Sequence, residues 1–269
     1  MKKLICTLAI FTQFAFGQGT IDKILKVEYD EYRIYTPDFI NLDLGTLIVS
    51  DDYSYYNSIV QKKITNNTAN PENAVMVETG KGNKEILPEI VINRKQNLLT
   101  ERLFEGLYLK NYFAVQEALP KMKWKLTKEK KTIGGYNCKK ASVEFRGRTY
   151  DAWYTVQIPI ALGPWKFNGL PGLILEVNDL KSIYKWQVKL ISYKSKITSD
   201  YIDLQVKDDP KFEKITFKDY ESKKIKRVQE KIQTNKARNG NRGTQFDMMT
   251  TFEYDKEPVN EFRNQTEFR

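Results

Sequence analysis

The sequence predicts a mainly β (α+β) fold: a large curved antiparallel meander sheet or half-barrel, with a basic amphipathic helix near the C-terminus. Three observations predict it. Apolar side chains recur at every second position through successive short runs, which is the period of a half-buried strand. Gly, Asn and Pro clusters punctuate those runs at hairpin spacing. The period lengthens to a helical one in a single segment, from Phe217 to about Asn235.

The strands are clearest between residues 123 and 192. Trp124 and Leu126 alternate with Lys123, Lys125 and Thr127, and Gly134-Gly135 ends that run with a turn. Tyr136 to Phe145 follows, with Ala141, Val143 and Phe145 on one face. Cys138 is out of phase with them, so either it points to the opposite face or a bulge intervenes. Arg146-Gly147-Arg148 reads as a three-residue hairpin loop. The strand Thr149–Ile158 then places Tyr150, Ala152, Tyr154, Val156 and Ile158 on one face and Trp153 on the other. Leu173 to Val177 is a short apolar strand closed by an Asn178-Asp179 turn, and Tyr184, Trp186, Val188 and Leu190 form the apolar face of the next. Five strands in chain order imply a meander.

Further strand candidates upstream are Ile24–Tyr35, Leu47–Ser50, Tyr55–Val60, Ala74–Glu78, Ile90–Arg94 and Leu107–Val115. Downstream, Phe217, Glu221, Ile225, Val228 and Ile232 make a thin helical stripe, and eight Lys/Arg against three Asp/Glu between Lys218 and Arg238 make that helix basic. Docking on the sheet with a solvated outer face explains it better than adhesion to an anionic membrane. The expected organisation is a signal peptide at 1–17, one β-rich domain at 18–238, and a polar tail at 239–269. Lys2-Lys3 followed by the apolar run Leu4–Phe16 has signal-peptide charge and length, and Ala15-Phe16-Gly17 predicts cleavage after Gly17. The protein is then periplasmic or extracellular, with no transmembrane segment in the mature chain.

Composition excludes whole mechanisms. The chain has no histidine and two cysteines, of which Cys6 lies in the signal sequence. Ser-His-Asp and Cys-His catalysis are ruled out, as are His-based zinc sites. Cys138, alone in the mature chain, reads as a buried, inert residue. No cofactor motif is present, so no cofactor, metal or catalytic residue is expected. The formal charge of +10 favours anionic envelope components over nucleic acid.

Tyr136-x-Cys138-Lys139-Lys140-Ala141, Arg146-Gly147-Arg148-x-Tyr150-x-Ala152-Trp153-Tyr154, Ile158-Pro159 and Gly163-Pro164-Trp165-x-Phe167-x-Gly169-Leu170-Pro171-Gly172-Leu173-Ile174 resemble the GLPGLI family of secreted bacterial proteins. That resemblance implies no reaction and no catalytic residue. The strand order is also similar to the plan of half-barrel lipid carriers of the bacterial envelope, a likeness of fold alone. The motif, Gly163 to Ile174, reads as mainly structural: an ordered loop pinned by Trp165, Phe167 and Leu170.

The expected function is therefore a non-catalytic binding or carrier module for an apolar or amphipathic envelope ligand, such as a lipid. Arg146, Arg148, Trp153, Trp165, Phe167 and Trp186 are its candidate contacts, although core packing outweighs ligand contact for the aromatic residues. The alternatives are an interaction partner of an outer-membrane complex, and a carbohydrate-acting enzyme using paired carboxylates. For the enzyme, Glu144, Asp151 and Glu176 are the only acids of the motif region, and Glu144 and Glu176 are placed on the solvent side by alternation.

Overall fold

The computed structural model describes residues 23–36, 39–65, 75–78, 89–105, 111–195 and 209–227, with isolated positions 229–230, 233–234 and 237. The segments expected to be a signal peptide (1–17) and a polar tail (239–269) lie outside them. Thirteen strands are present among the described residues: β1 (Lys23–Thr36), β2 (Phe39–Val49), β3 (Tyr53–Thr65), β4 (Val75–Glu78), β5 (Glu89–Asn93), β6 (Leu98–Glu105), β7 (Asn111–Ala118), β8 (Lys125–Ile133), β9 (Tyr136–Phe145), β10 (Arg148–Thr155), β11 (Leu173–Asp179), β12 (Tyr184–Ser195) and β13 (Glu213–Thr216). Residues 217–227 form helix α1.

The strands join one sheet in the order β13-β7-β6-β5-β3-β2-β1-β12-β11-β10-β9-β8, with β4 paired to β3. Two antiparallel meanders, one from each half of the chain, are thus fused where β1 pairs with β12. The β13–β7 pair is parallel. β6 and β13 escaped the alternation reading, because β6 carries Glu101 and Arg102 amid its apolar residues and β13 spans only four residues. Of the strand expected at Leu107–Val115, residues 111–115 fall in β7 (Asn111–Ala118), and 107–110 lie outside the described residues.

Local chemistry explains the other departures. The β9–β10 loop has two residues, not three: Phe145 pairs with Arg148, and Arg146 and Gly147 both take positive φ (49° and 78°). Two successive left-handed residues match the twist of a tight hairpin, so pairing resumes at once. Leu190 was expected on the inner face but is 51% exposed. The ladder to β1 shifts between Glu28 and Tyr29, leaving Lys189 unmatched, so Ile191 opposite Val27 takes the inward place. Glu176, expected in solvent, is buried, because β11 is central and covered on both faces.

The inner face of the curved sheet carries the core. Leu25, Val27 and Tyr29 of β1, Leu47 and Val49 of β2, Ile90 and Ile92 of β5, Tyr150 and Ala152 of β10 and Trp186 of β12 belong to one cluster. The connection 156–172 runs into this concavity. Leu162 through Asn168 are all buried, and Trp165 stacks on Trp186 with centroids 6.2 Å apart and planes 5° from parallel. Trp165 holds a positive φ of 53°, a conformation disfavoured for an L-residue. The surrounding rings of Phe145, Phe167 and Trp186 hold it there. Backbone bonds tie the plug to its own strands: Leu173 N donates to Ile158 O (2.9 Å) and Ile174 N to Leu162 O (3.0 Å).

The plug also reaches the opposite arm of the sheet. Lys166, with none of its surface exposed, lies 2.7 Å from Glu101 of β6 and 3.3 Å from Glu117 of β7. Arg146 from the β9–β10 hairpin pairs with the same Glu117. Nearby, Trp124 Nε1 donates to Asn168 O (2.8 Å) and Asn168 Nδ2 to Pro120 O (3.2 Å). Helix α1 closes this end. Thr216 caps it by accepting from Asp219 N (3.1 Å), Phe217 lies 3.7 Å beneath the Arg146 guanidinium, and Tyr220 meets Phe113 edge-on. Phe217, Tyr220, Glu221, Lys224 and Ile225 are half-buried, while Val228 and Ile232 fall outside the described residues.

Two stability outcomes follow from this packing. At Gly172 a Cβ would stand 2.0 Å from Thr155 O, a backbone atom that cannot swing away, whereas at Gly169 the nearest contact is 3.9 Å and the cost is the φ of 86° alone. Gly172→Ala is therefore expected to lose about 3 kcal/mol or more and Gly169→Ala about 1 kcal/mol, measured by urea unfolding. Lys166→Met strips the buried Glu101 and the half-buried Glu117 of their ammonium and is expected to cost about 3–5 kcal/mol. In a double-mutant cycle, Glu101→Gln should return about 1 kcal/mol or more of that loss; simple additivity would show the pair is not coupled.

Candidate functional site

The residues singled out in the sequence separate into three settings. Trp165, Phe167 and Trp186 pack against one another and against Tyr150, each at most 4% exposed. Arg148 is buried in an ion pair with Asp179 at 3.0 Å and lies over the Tyr184 ring, while Arg146 is held by Glu117. Both guanidiniums thus meet carboxylates of the protein itself. Trp153 stands on the outer face, half-buried, with Lys131 Nζ 4.3 Å above its ring and Lys131 paired to Glu176 at 2.8 Å. Cys138, opposite Lys131 in register, is buried. Burial pushes its thiol above the ordinary range, which keeps it protonated and a poor nucleophile. Glu144 is exposed, and Asp151 accepts from Ser142 and pairs with Lys140.

A different constellation gathers on the inner face beyond the plug. Along β1 the inward positions read Leu25, Val27, Tyr29, Glu31 and Arg33, and along β2 they read Asn41, Asp43, Gly45, Leu47 and Val49. In both strands an apolar inner face turns polar toward the same end. The antiparallel register places Glu31 opposite Asp43 and Arg33 opposite Asn41. From the other side, Glu31 faces Trp186 and Arg33 faces Tyr184 of β12.

The hydrogen bonds at this end are specific. Tyr56 from β3 donates its hydroxyl to Glu31 Oε2 at 2.8 Å, and its ring occupies the space left by the missing side chain of Gly45, where a Cβ would lie 2.2 Å from the hydroxyl. Arg33 Nη2 donates to Asp43 Oδ2 (3.1 Å), and its Nη1 to the Tyr35 hydroxyl (3.2 Å). Glu31 is fully buried and Asp43 is 2% exposed, but the Arg33 side chain is 30% exposed, so the cluster meets solvent at Arg33. Asn41 Oδ1 and Arg33 Nε are both buried without a hydrogen-bond partner among the described residues. One is an acceptor and the other a donor, on register-paired residues.

This arrangement suits binding better than cleavage. Register-opposed residues bring Cβ atoms to about 5 Å, near the spacing of a glycosidase pair. Glu31, however, is sealed from solvent and held by a phenol, so no substrate bond reaches between it and Asp43 in this conformation. Asn41 and Arg33 call for a group that donates and accepts at once, which a hydroxyl does. Among the described residues no cluster of three or more His, Cys, Asp or Glu is placed to hold a metal ion. Of the acids named from the motif region, Glu176 pairs with Lys131 and Asp151 with Lys140, while Glu144 is exposed. The site was missed because it lies upstream of the motif, and its signal was the apolar-to-polar change along two neighbouring strands.

Burial raises the pKa of Tyr29, and burial together with Glu31 raises that of Tyr56. Below the unfolded phenol pKa of about 10 neither shift affects stability. Above it, the unfolded chain releases protons that the folded chain keeps, so stability falls by about 1.4 kcal/mol per pH unit for each phenol. Tyr56→Phe is expected to remove one such increment from the slope of alkaline unfolding between pH 10 and 11, and an unchanged slope would contradict the assignment.

Comparison with known proteins places the chain. A family described as "N-glycanase peptide, N-terminal domain" matches residues 43–219, well over half of the sequence. The structure of PNGF-II in a C2 crystal form is similar, with a TM-score of 0.51 and 19% identity, over 74% of this chain and 32% of that one. The P21 form gives 0.45 and 15% over the same shares. This chain therefore spans about a third of the length of the solved structures it matches, and the likeness to them is one of fold. No curated protein matches. The extent of the family match settles membership: the chain belongs to the family of N-glycanase peptide N-terminal domains.

Proposed function

We propose that this protein is an exported, non-catalytic module that binds the glycan of glycoconjugates through the polar end of its inner face. The observation that carries the proposal is the pairing of Asn41 Oδ1 and Arg33 Nε, a buried acceptor beside a buried donor, next to a partly exposed guanidinium. The planar, partly exposed Arg33 and the half-buried Tyr35 give a sugar ring a flat surface, and a hydroxyl entering as the Arg33 side chain moves aside would answer both buried atoms. The family description supports a glycan in place of the lipid first expected, since it names an N-glycanase. Export rests on the charge and length of residues 2–17, and the resemblance to secreted GLPGLI proteins agrees with it. The packed aromatic plug then serves as the rigid floor under the site, and Arg148–Asp179 fixes its flank at Tyr184.

The test is calorimetric titration of the full chain with a free N-linked glycan and with the corresponding glycopeptide. Saturable binding is expected, weakened about tenfold or more by Asn41→Ala and by Arg33→Ala, a loss of about 1.4 kcal/mol, with thermal unfolding still cooperative in both variants. The glycopeptide should be recovered intact by mass spectrometry. Absence of binding, or binding untouched by both substitutions, would refute the reading; release of the glycan would replace it with the enzymatic one.

A further inference from the structure

We infer a second binding surface, for a linear anionic polysaccharide, along the β8 edge of the sheet. Among the described residues β8 is the terminal strand, with β9 as its single neighbour in the sheet. Between Lys121 and Lys140 the chain carries eight lysines and one acid, Glu129. Lys131 and Lys140 are neutralised, by Glu176 and by Glu129 and Asp151. The other six, Lys121, Lys123, Lys125, Lys128, Lys130 and Lys139, are exposed, and none has a carboxylate within ion-pair distance among the described residues.

Charged residues on an edge strand also serve to block pairing with another chain. That role explains one or two lysines within β8. It does not explain Lys121 and Lys123, which precede the strand, or Lys139, which lies on β9. Nor does the opposite edge carry such an excess: on β13, Glu213 pairs with Lys223 of α1 at 3.0 Å. The like charges repel one another, which destabilises the folded chain unless counter-charge is supplied. Lys125 lies opposite Ser142 and Lys130 opposite Lys139, with a register shift between Leu126 and Lys130, so the lysines flank both sides of one edge strand and their charge follows that edge as a narrow line. A line matches an extended polyanion chain, whereas a membrane surface would engage a flat patch. Lysines also suit a ligand read by charge, since an ammonium acts as a point charge without the planar geometry that arginine demands.

The full chain would be titrated against polygalacturonate, with dextran of equal length as the neutral control and phosphatidylglycerol vesicles as the lipid comparison. Polygalacturonate is expected to bind at low ionic strength, with affinity falling steeply as salt rises, and dextran is expected not to bind at this surface. The triple variant Lys125→Gln, Lys128→Gln, Lys130→Gln should weaken polygalacturonate binding at least tenfold while thermal unfolding stays at the wild-type temperature within a few degrees. The variant Lys218→Gln, Lys223→Gln on α1 should leave binding within twofold. Three results would overturn the inference: no polygalacturonate binding, binding unchanged in the triple β8 variant, or tighter binding to the vesicles than to the polysaccharide.

Discussion

Lys166 is the constraint on which the rest of the architecture depends. A twelve-strand path would otherwise present a broad inner face to water, and its two ends have few reasons to approach one another. The plug 156–172 carries a single ammonium into the concavity and sets it between Glu101 and Glu117 of the far arm. A fully buried lysine is tolerated only where its charge is met at short range. This requirement fixes the distance between plug and arm more sharply than apolar contact does, because hydrophobic packing has no direction of its own. Arg146 and α1 extend the network, so the β9–β10 hairpin, the plug, β6–β7 and the helix form one joint.

The stretch Gly163 to Ile174 acquires a physical meaning from this joint. Its glycines answer different needs: Gly163 and Gly172 allow backbone to lie against Ile174 and Thr155, whereas Gly169 supplies a turn. Its aromatic residues floor the polar end of the inner face, where Glu31, Asp43, Asn41, Arg33 and Tyr56 gather. A rigid apolar floor beneath a polar corner is the arrangement that holds a binding constellation without mobile loops. The basic β8 edge is separate from that corner in the sheet order and depends on none of its residues.

Most strands of the C-terminal meander were legible because alternation is a local signal, and β9 follows its expected bounds of Tyr136 and Phe145; Leu126 and Val156, expected on apolar faces, are exposed, because β8 shifts register after Leu126 and β10 ends at Thr155. What was not legible is pairing at long range. Nothing local to Tyr184–Ser195 announces that it pairs with Lys23–Thr36, and the bulge at Lys189 that turns Leu190 outward exists only within that pairing. Lys166 looks like an ordinary loop lysine until the arm carrying Glu101 and Glu117 is folded over it. Glu176 reads as a solvent residue by alternation, yet the burial of β11 on both faces removes the solvent. The polar corner was half legible: each of β1 and β2 shows an inner face that turns polar, but only their register makes Glu31–Asp43 and Arg33–Asn41 into neighbours.

Native-state hydrogen exchange tests the central claim most directly, because it reads the free energy at which each arm opens. If Lys166 joins the plug to the far arm, the amides of Leu173 and Ile174, which bond the plug carbonyls of Ile158 and Leu162, and those of Thr100 and Val115 on β6 and β7 should exchange at one common opening free energy in the wild-type chain. In Lys166→Met the β6–β7 amides should open at lower free energy than the plug. Separate opening in the wild type, or an equal drop at every amide in the variant, would contradict a joint centred on Lys166.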